Sequence, residues 1–218
     1  MPSKVFDLEA GARGFADELA DLLNQSVCNG PRLSVVEAPR SIFKVGYKLT
    51  TQEYRGRGVP LTISTKPARI FLGLQYSLGP DDTGEYLMVR SSYMGIGCSD
   101  DLDGMMLHYD YERDKDKYHE AHLQISADPA EWSAICENRG LGKRPFAKLH
   151  LSVGGRRFRP TLEDLISFLV AERLVTARPN WDTAVKAGQK RFEEKQLRAA
   201  IRRNPEVAKD AVAKLATS

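Results

Sequence analysis

Apolar positions near the start of the chain recur with the spacing of a helix. Phe15, Leu19, Leu22 and Leu23 stand at i, i+4, i+7 and i+8, which is one stripe on a helical cylinder. A helix is therefore expected over residues 6–25, stopped by Asn29-Gly30-Pro31. From there to about Val153 the period changes to two. Ile70, Leu72, Leu74, Tyr76 and Leu78 alternate with Phe71, Gly73, Gln75 and Ser77, the pattern of a strand with one buried face. The polar run 79–84 reads as a turn, and a second strand returns over residues 85–93. Residues 50–60, with three charges and two glycines, read as a mobile loop. Residues 104–112 and 119–126 suit a further hairpin, joined by the charged segment 113–118. Residues 129–138 suit a short helix and residues 145–153 a last strand, ended by Gly154-Gly155.

Thr161 followed three residues later by Asp164 has the form of a capping box. It predicts a helix over residues 161–175 with Leu162, Leu165, Ile166 and Leu169 as its buried stripe. Pro179 separates that helix from a tail of two helical stretches, broken at Asn204-Pro205. Strands joined by short turns run antiparallel, because a parallel return needs a long crossover. The expected fold class is α+β: a curved antiparallel β-meander packed by the N-terminal helix and by the helix after the last strand, with a helical C-terminal extension. The expected division is a single α+β domain over residues 1–177 and a basic extension over residues 178–218.

The four histidines all lie between positions 108 and 150, and strand alternation assigns them faces. Leu107, Tyr109 and Tyr111 point one way, and His108, Asp110 and Glu112 the other. In the next strand Leu123 and Ile125 oppose His122, Gln124 and Ser126. In the last, Leu149, Leu151 and Val153 oppose Lys148, His150 and Ser152. Paired as neighbours, these strands gather His108, His122, His150, Asp110 and Lys148 on one side, opposite the apolar core. Imidazoles exchange protons near neutrality. Such a face suits transesterification of an RNA phosphodiester, with one histidine as base, another as acid, and Lys148 offsetting charge on the phosphate. A solvated outer face is the plain alternative. Divalent metal ligation by His108, Asp110, His122 and His150 is the chemical rival, and no metal is expected. His119 falls at the hairpin edge. The acidic run 99–104 reads as a turn, and Cys98 as a small buried residue.

Charge sharpens the choice of partner. The net charge of +3 over 218 residues is unevenly laid out. Seven basic residues fall between Arg139 and Arg159, with no acid between Glu137 and Glu163. Positions 178–218 contribute +5, leaving −2 for the rest. Concentrated positive charge is the footprint of a polyanion, so RNA or another polyanion is the expected partner, held by Arg144, Arg156, Arg157 and Arg159. A protein partner is the alternative, and no membrane partner is expected because no apolar run approaches the roughly 20 residues of a spanning helix. Three scattered cysteines argue for reduced thiols rather than a disulfide framework or zinc site. With no apolar leader at the N-terminus, a cytoplasmic location is expected. No phosphate-binding Walker loop or dinucleotide fingerprint occurs, and no cofactor is expected.

The segments LHYDYER at 107–113, AHLQ at 121–124 and LHLSVGGRRFRPTLED at 149–164 together resemble a family of uncharacterised bacterial proteins, over most of the chain, including the surroundings of Trp181 and residues 197–203. The same layout also resembles small toxins of bacterial toxin–antitoxin pairs, which carry a Tyr-Asp strand, a strand with clustered histidines and then a helix. Here Gln124 stands where those toxins tend to have another histidine, and this chain is much longer. The family resemblance brings no activity with it; the weaker likeness to the toxins adds to the reading of the histidine face and the basic segment as those of an RNA-acting protein, in its sharpest form a metal-independent ribonuclease of a toxin–antitoxin or phage-defence system. The competing readings are a non-enzymatic nucleic-acid- or protein-binding module and a structural or regulatory subunit whose histidine face is only solvated.

Overall fold

The structure, a computed structural model, describes residues 6–127, 129–140, 142–154 and 159–215. Helix α1 (Leu8–Ser26) is capped by Asp7, whose Oδ1 accepts from the Ala10 amide at 2.9 Å. The strands follow: β1 (Leu33–Ala38), β2 (Ile42–Tyr47), β3 (Val59–Pro60), β4 (Phe71–Pro80), β5 (Leu87–Gly97), β6 (Leu107–Glu112) and β7 (Ala121–Ile125). Helix α2 (Ala130–Asn138), a 3-10 turn (Phe146–Lys148) and the two-residue strand β8 (Leu151–Ser152) come next. Helices α3 (Leu162–Ala171), α4 (Trp181–Arg203) and α5 (Pro205–Leu215) complete the chain. All strand pairs are antiparallel, in the order β1-β2-β4-β5-β6-β7-β8 with β3 added beside β4. The fold is α+β: an open antiparallel sheet with helices before and after it.

One face of the sheet is the core. Val45, Leu72, Leu74, Leu78, Met94 and Ile96 are buried there in one cluster with Leu22 and Leu23 of α1 and Leu162, Leu165, Ile166 and Leu169 of α3. The cap of α3 has both halves of its box: Thr161 Oγ1 accepts from the Asp164 amide and Asp164 Oδ2 accepts from the Thr161 amide at 2.8 Å. Thr161→Ala should lower the unfolding free energy by about 1 kcal/mol, read as a shift of the denaturant midpoint; an unshifted midpoint would show that the cap is dispensable.

Three local expectations change. The helix from Thr161 ends at Ala171, not near Val175, because Arg173 turns left-handed (φ 57°) and the Leu174 amide bonds back to the Leu169 carbonyl. Residues 145–153 are not one strand. Proline has no amide to give a ladder, and the Lys148 and Leu149 amides bond to the Pro145 and Phe146 carbonyls in the 3-10 turn, leaving only Leu151 and Ser152 to pair with β7. Cys98 is exposed, because it lies past the end of β5 in a turn rather than on the core face. The β1–β2 hairpin turns through Pro39, Arg40 and Ser41, with the last two at positive φ, and no glycine or asparagine announces it. In the tail, Val185 of α4 is buried in the core cluster with Trp181 and Ala184 packed against it, whereas α5 buries no residue. Among the described residues no helix is long and apolar enough to cross a membrane.

Candidate active site

The other face of the sheet is polar, and cross-strand register builds it in rows. Gln75, Tyr93, Asp110, His122 and Ser152 lie side by side across β4 to β8. Lys44, Ser77, Ser91 and Glu112 form the next row, and His108 and Gln124 pair on the other flank. A cleft of about 520 Å³ opens over these rows, walled by Leu49, Tyr54 and Arg55 from the segment between β2 and β3. That segment, expected to be mobile, is tied down. The Arg57 amide bonds to the Tyr47 carbonyl at 2.9 Å, the Gly58 amide to the Asp100 carbonyl at 2.7 Å, and Gln75 Nε2 to the Arg55 carbonyl. Arg55 also pairs with Asp103, in the turn that the acidic run 99–104 forms.

The structure brings His108, Asp110, His122 and His150 together, and of these Asp110 and His122 line the cleft. Asp110 Oδ2 lies 3.3 Å from His108 Nε2 and 3.6 Å from His122 Nε2. Gln124 orients His108. Its amide nitrogen donates to the Ala147 carbonyl at 3.0 Å, which turns Oε1 toward His108 Nε2 at 2.7 Å. An amide oxygen only accepts, so Nε2 carries a proton and Nδ1 is left to give and take the second. The Asp110 carboxylate, helped by Gln124 and opposed by desolvation, raises the pKa of His108.

His122 is only 2% exposed, and its Nδ1 faces the His119 carbonyl at 3.2 Å. A carbonyl only accepts, so this nitrogen donates and Nε2 is the atom turned to Asp110. His150 packs edge-on to His122, with ring centroids 4.6 Å apart, and stacks on Tyr118 at 4.0 Å. Burial, His122 and Arg144 push the pKa of His150 down, in that order, with Asp110 opposing them. The two accessible imidazoles are thus moved in opposite directions by their surroundings, the pattern that separates an acid from a base.

The remaining predicted residues are dispersed. Lys148, exposed, ends the half-buried 3-10 turn, off the strand whose alternation placed it on the face of His150. Arg144 is exposed, near enough to His150 to act on its charge. Arg159 lies over the Tyr111 ring at 4.3 Å and faces Phe192 of α4. Tyr111 points to the helix side of the sheet, so Arg159 is on the side away from the histidines. Arg156 and Arg157 lie outside the described residues. Among the described residues no group of three or more His, Cys, Asp or Glu side chains is arranged to hold a metal ion.

Sequence reasoning missed Tyr93, Tyr118 and Lys44. Tyr118 sits in the charged connection between β6 and β7, where no periodicity points to it. Tyr93 reaches the polar face because of a β-bulge: Ser77 pairs with Ser91, but Leu78 pairs with Val89, so Arg90 is an extra residue. Val89 and Leu87 pack on the core, while beyond the bulge Met94 and Ile96 do so, and Tyr93 turns to the cleft. Its ring lies over two glycines; a Cβ on Gly95 would stand 2.6 Å from its hydroxyl and one on Gly73 2.9 Å from its ring. Burial and Asp110 push the Tyr93 hydroxyl up to about 12, so it stays a donor.

Comparison with protein-family models, with curated proteins and with solved structures finds no match.

Proposed function

We propose that the protein is a metal-independent ribonuclease, of the kind found in toxin–antitoxin or phage-defence systems. The observation that carries this reading is the cluster itself: Asp110 Oδ2 lies 3.3 Å from His108 Nε2 and 3.6 Å from His122 Nε2, and His150 packs edge-on to His122 at 4.6 Å, with His108 pushed up and His150 pushed down by these surroundings. In the reaction, neutral His150 takes the proton of a ribose 2′-hydroxyl. The oxygen attacks phosphorus, the bond from phosphorus to the 5′-oxygen breaks, and His108 gives that oxygen its Nδ1 proton. A 2′,3′-cyclic phosphate and a free 5′-hydroxyl result, and proton exchange with water restores both imidazoles. Asp110 holds the His108 ring and stabilises its charged form, as the carboxylate does in other acid–base arrays. Arg144 supplies positive charge near the His150 end. The likeness of the layout, a Tyr-Asp strand, a histidine-bearing strand and then a helix, to small bacterial toxins supports the same substrate class.

The test is direct. The purified full chain, incubated with single-stranded RNA in excess chelator, should yield fragments ending in cyclic phosphate. Intact RNA at every pH between about 5 and 8 would leave the binding-module reading in its place.

A further inference from the structure

The polar face extends well beyond the histidines. From β7, which carries His122, to β2, which carries Lys44, the sheet crosses four strand intervals, about 19 Å along its surface at about 4.8 Å per interval. The cleft is continuous over that distance, lined by Lys44, Ser77, Ser91, Tyr93, Asp110 and His122. Its charges are matched except at the far end. Glu112 pairs with Lys115 at 2.7 Å, Arg55 with Asp103, and Asp110 sits between two imidazoles. Lys44 Nζ instead meets the Ser77 hydroxyl at 2.7 Å, and among the described residues it has no carboxylate partner. An ammonium set in a cleft beside hydroxyl groups, without a counter-charge, is a seat for an anion. Tyr93 on the floor and Tyr54 on the wall are aromatic surfaces that line the same cleft.

We propose that the cleft is a groove for single-stranded nucleic acid, crossing the strands from the histidine cluster to a phosphate seat at Lys44, with Tyr93 and Tyr54 as stacking surfaces for bases. The groove rests on the reading of the histidines as its reactive end. A single strand fits because its bases splay onto aromatic rings while its backbone follows positive charge. A duplex is read by elements that protrude into its grooves, whereas this face is recessed. The span exceeds one nucleotide, so Lys44 contacts a phosphate other than the one that reacts.

The experiment measures binding of 2′-O-methyl RNA, which lacks the attacking hydroxyl, by fluorescence anisotropy across a salt series. Two lengths serve: a dinucleotide and a strand of about six nucleotides. Lys44→Met removes the charge and keeps the apolar stem. It should weaken the longer strand roughly tenfold, flatten its log–log salt slope by about 0.7, and leave the dinucleotide unchanged. Lys44→Arg should retain most of the affinity. Equal affinity of wild type and Lys44→Met for the longer strand would overturn the groove, as would a duplex of the same sequence binding as tightly as the single strand. Because the probe cannot be cut, the outcomes separate. Lys44-dependent binding by a protein that never cleaves RNA removes only the ribonuclease reading. Cleavage with no dependence on Lys44 removes only the groove.

Discussion

His108→Ala should lower the rate of RNA cleavage by a factor of about 10²–10⁴, the usual contribution of a positioned general acid, while leaving the affinity for an uncleavable strand nearly unchanged. The leaving 5′-oxygen needs a proton as its bond to phosphorus breaks, and the carboxylate beside His108 keeps that imidazole charged to higher pH than usual. Rate against pH should therefore be bell-shaped. Its rising limb lies below the ordinary histidine value because His150 is pushed down, and its falling limb lies above it because His108 is pushed up. Asp110→Asn removes the charge that raises His108, so the falling limb should move to lower pH. The same substitution has a stability signature with a fixed sign. A histidine whose pKa is raised on folding adds stability that is fully present below about pH 6.5 and is lost as pH rises through its folded value. Asp110→Asn should flatten that dependence. A falling limb that stays in place in Asp110→Asn would remove His108 from the role of acid, whatever the rate lost.

Leu165→Ala should cost about 2–5 kcal/mol of folding stability. Leu165 is 1% exposed and lies in the cluster that joins α1, α3 and the core face of β4 and β5. Deleting three side-chain carbons there removes burial and leaves a cavity that a helix held between sheet and α4 cannot collapse into. The urea midpoint should fall with little change in slope. Leu197→Ala, at a position 61% exposed on α4, should stay within about 0.5 kcal/mol. An unchanged midpoint in Leu165→Ala would mean that α3 does not close the core.

The sequence by itself determined the parts whose signal is local and periodic. The stripe Phe15, Leu19, Leu22, Leu23 gave α1, the alternation from Ile70 to Leu78 gave the core face of β4, and Thr161 with Asp164 marked the start of α3. Alternation also assigned His108 and Asp110 to one face of β6, and His122 and Gln124 to one face of β7, because side-chain direction in a regular strand follows from counting. Counting fails wherever the ladder is interrupted. The extra residue at Arg90 reverses the faces of β5, and only the pairing with β4 reveals it; Tyr93 reached the site in that way. The 3-10 turn after Pro145 took Lys148 off the strand. Arg159 went to the helix side because Tyr111 and Phe192 offered it aromatic faces there, a choice set by residues some fifty and thirty positions away on either side. The contact of His150 with His122, the shared position of Asp110 and the solitary charge of Lys44 are likewise tertiary facts. They depend on which strands become neighbours and on how the loop between β2 and β3 closes over them, and neither is encoded in the period of any single segment.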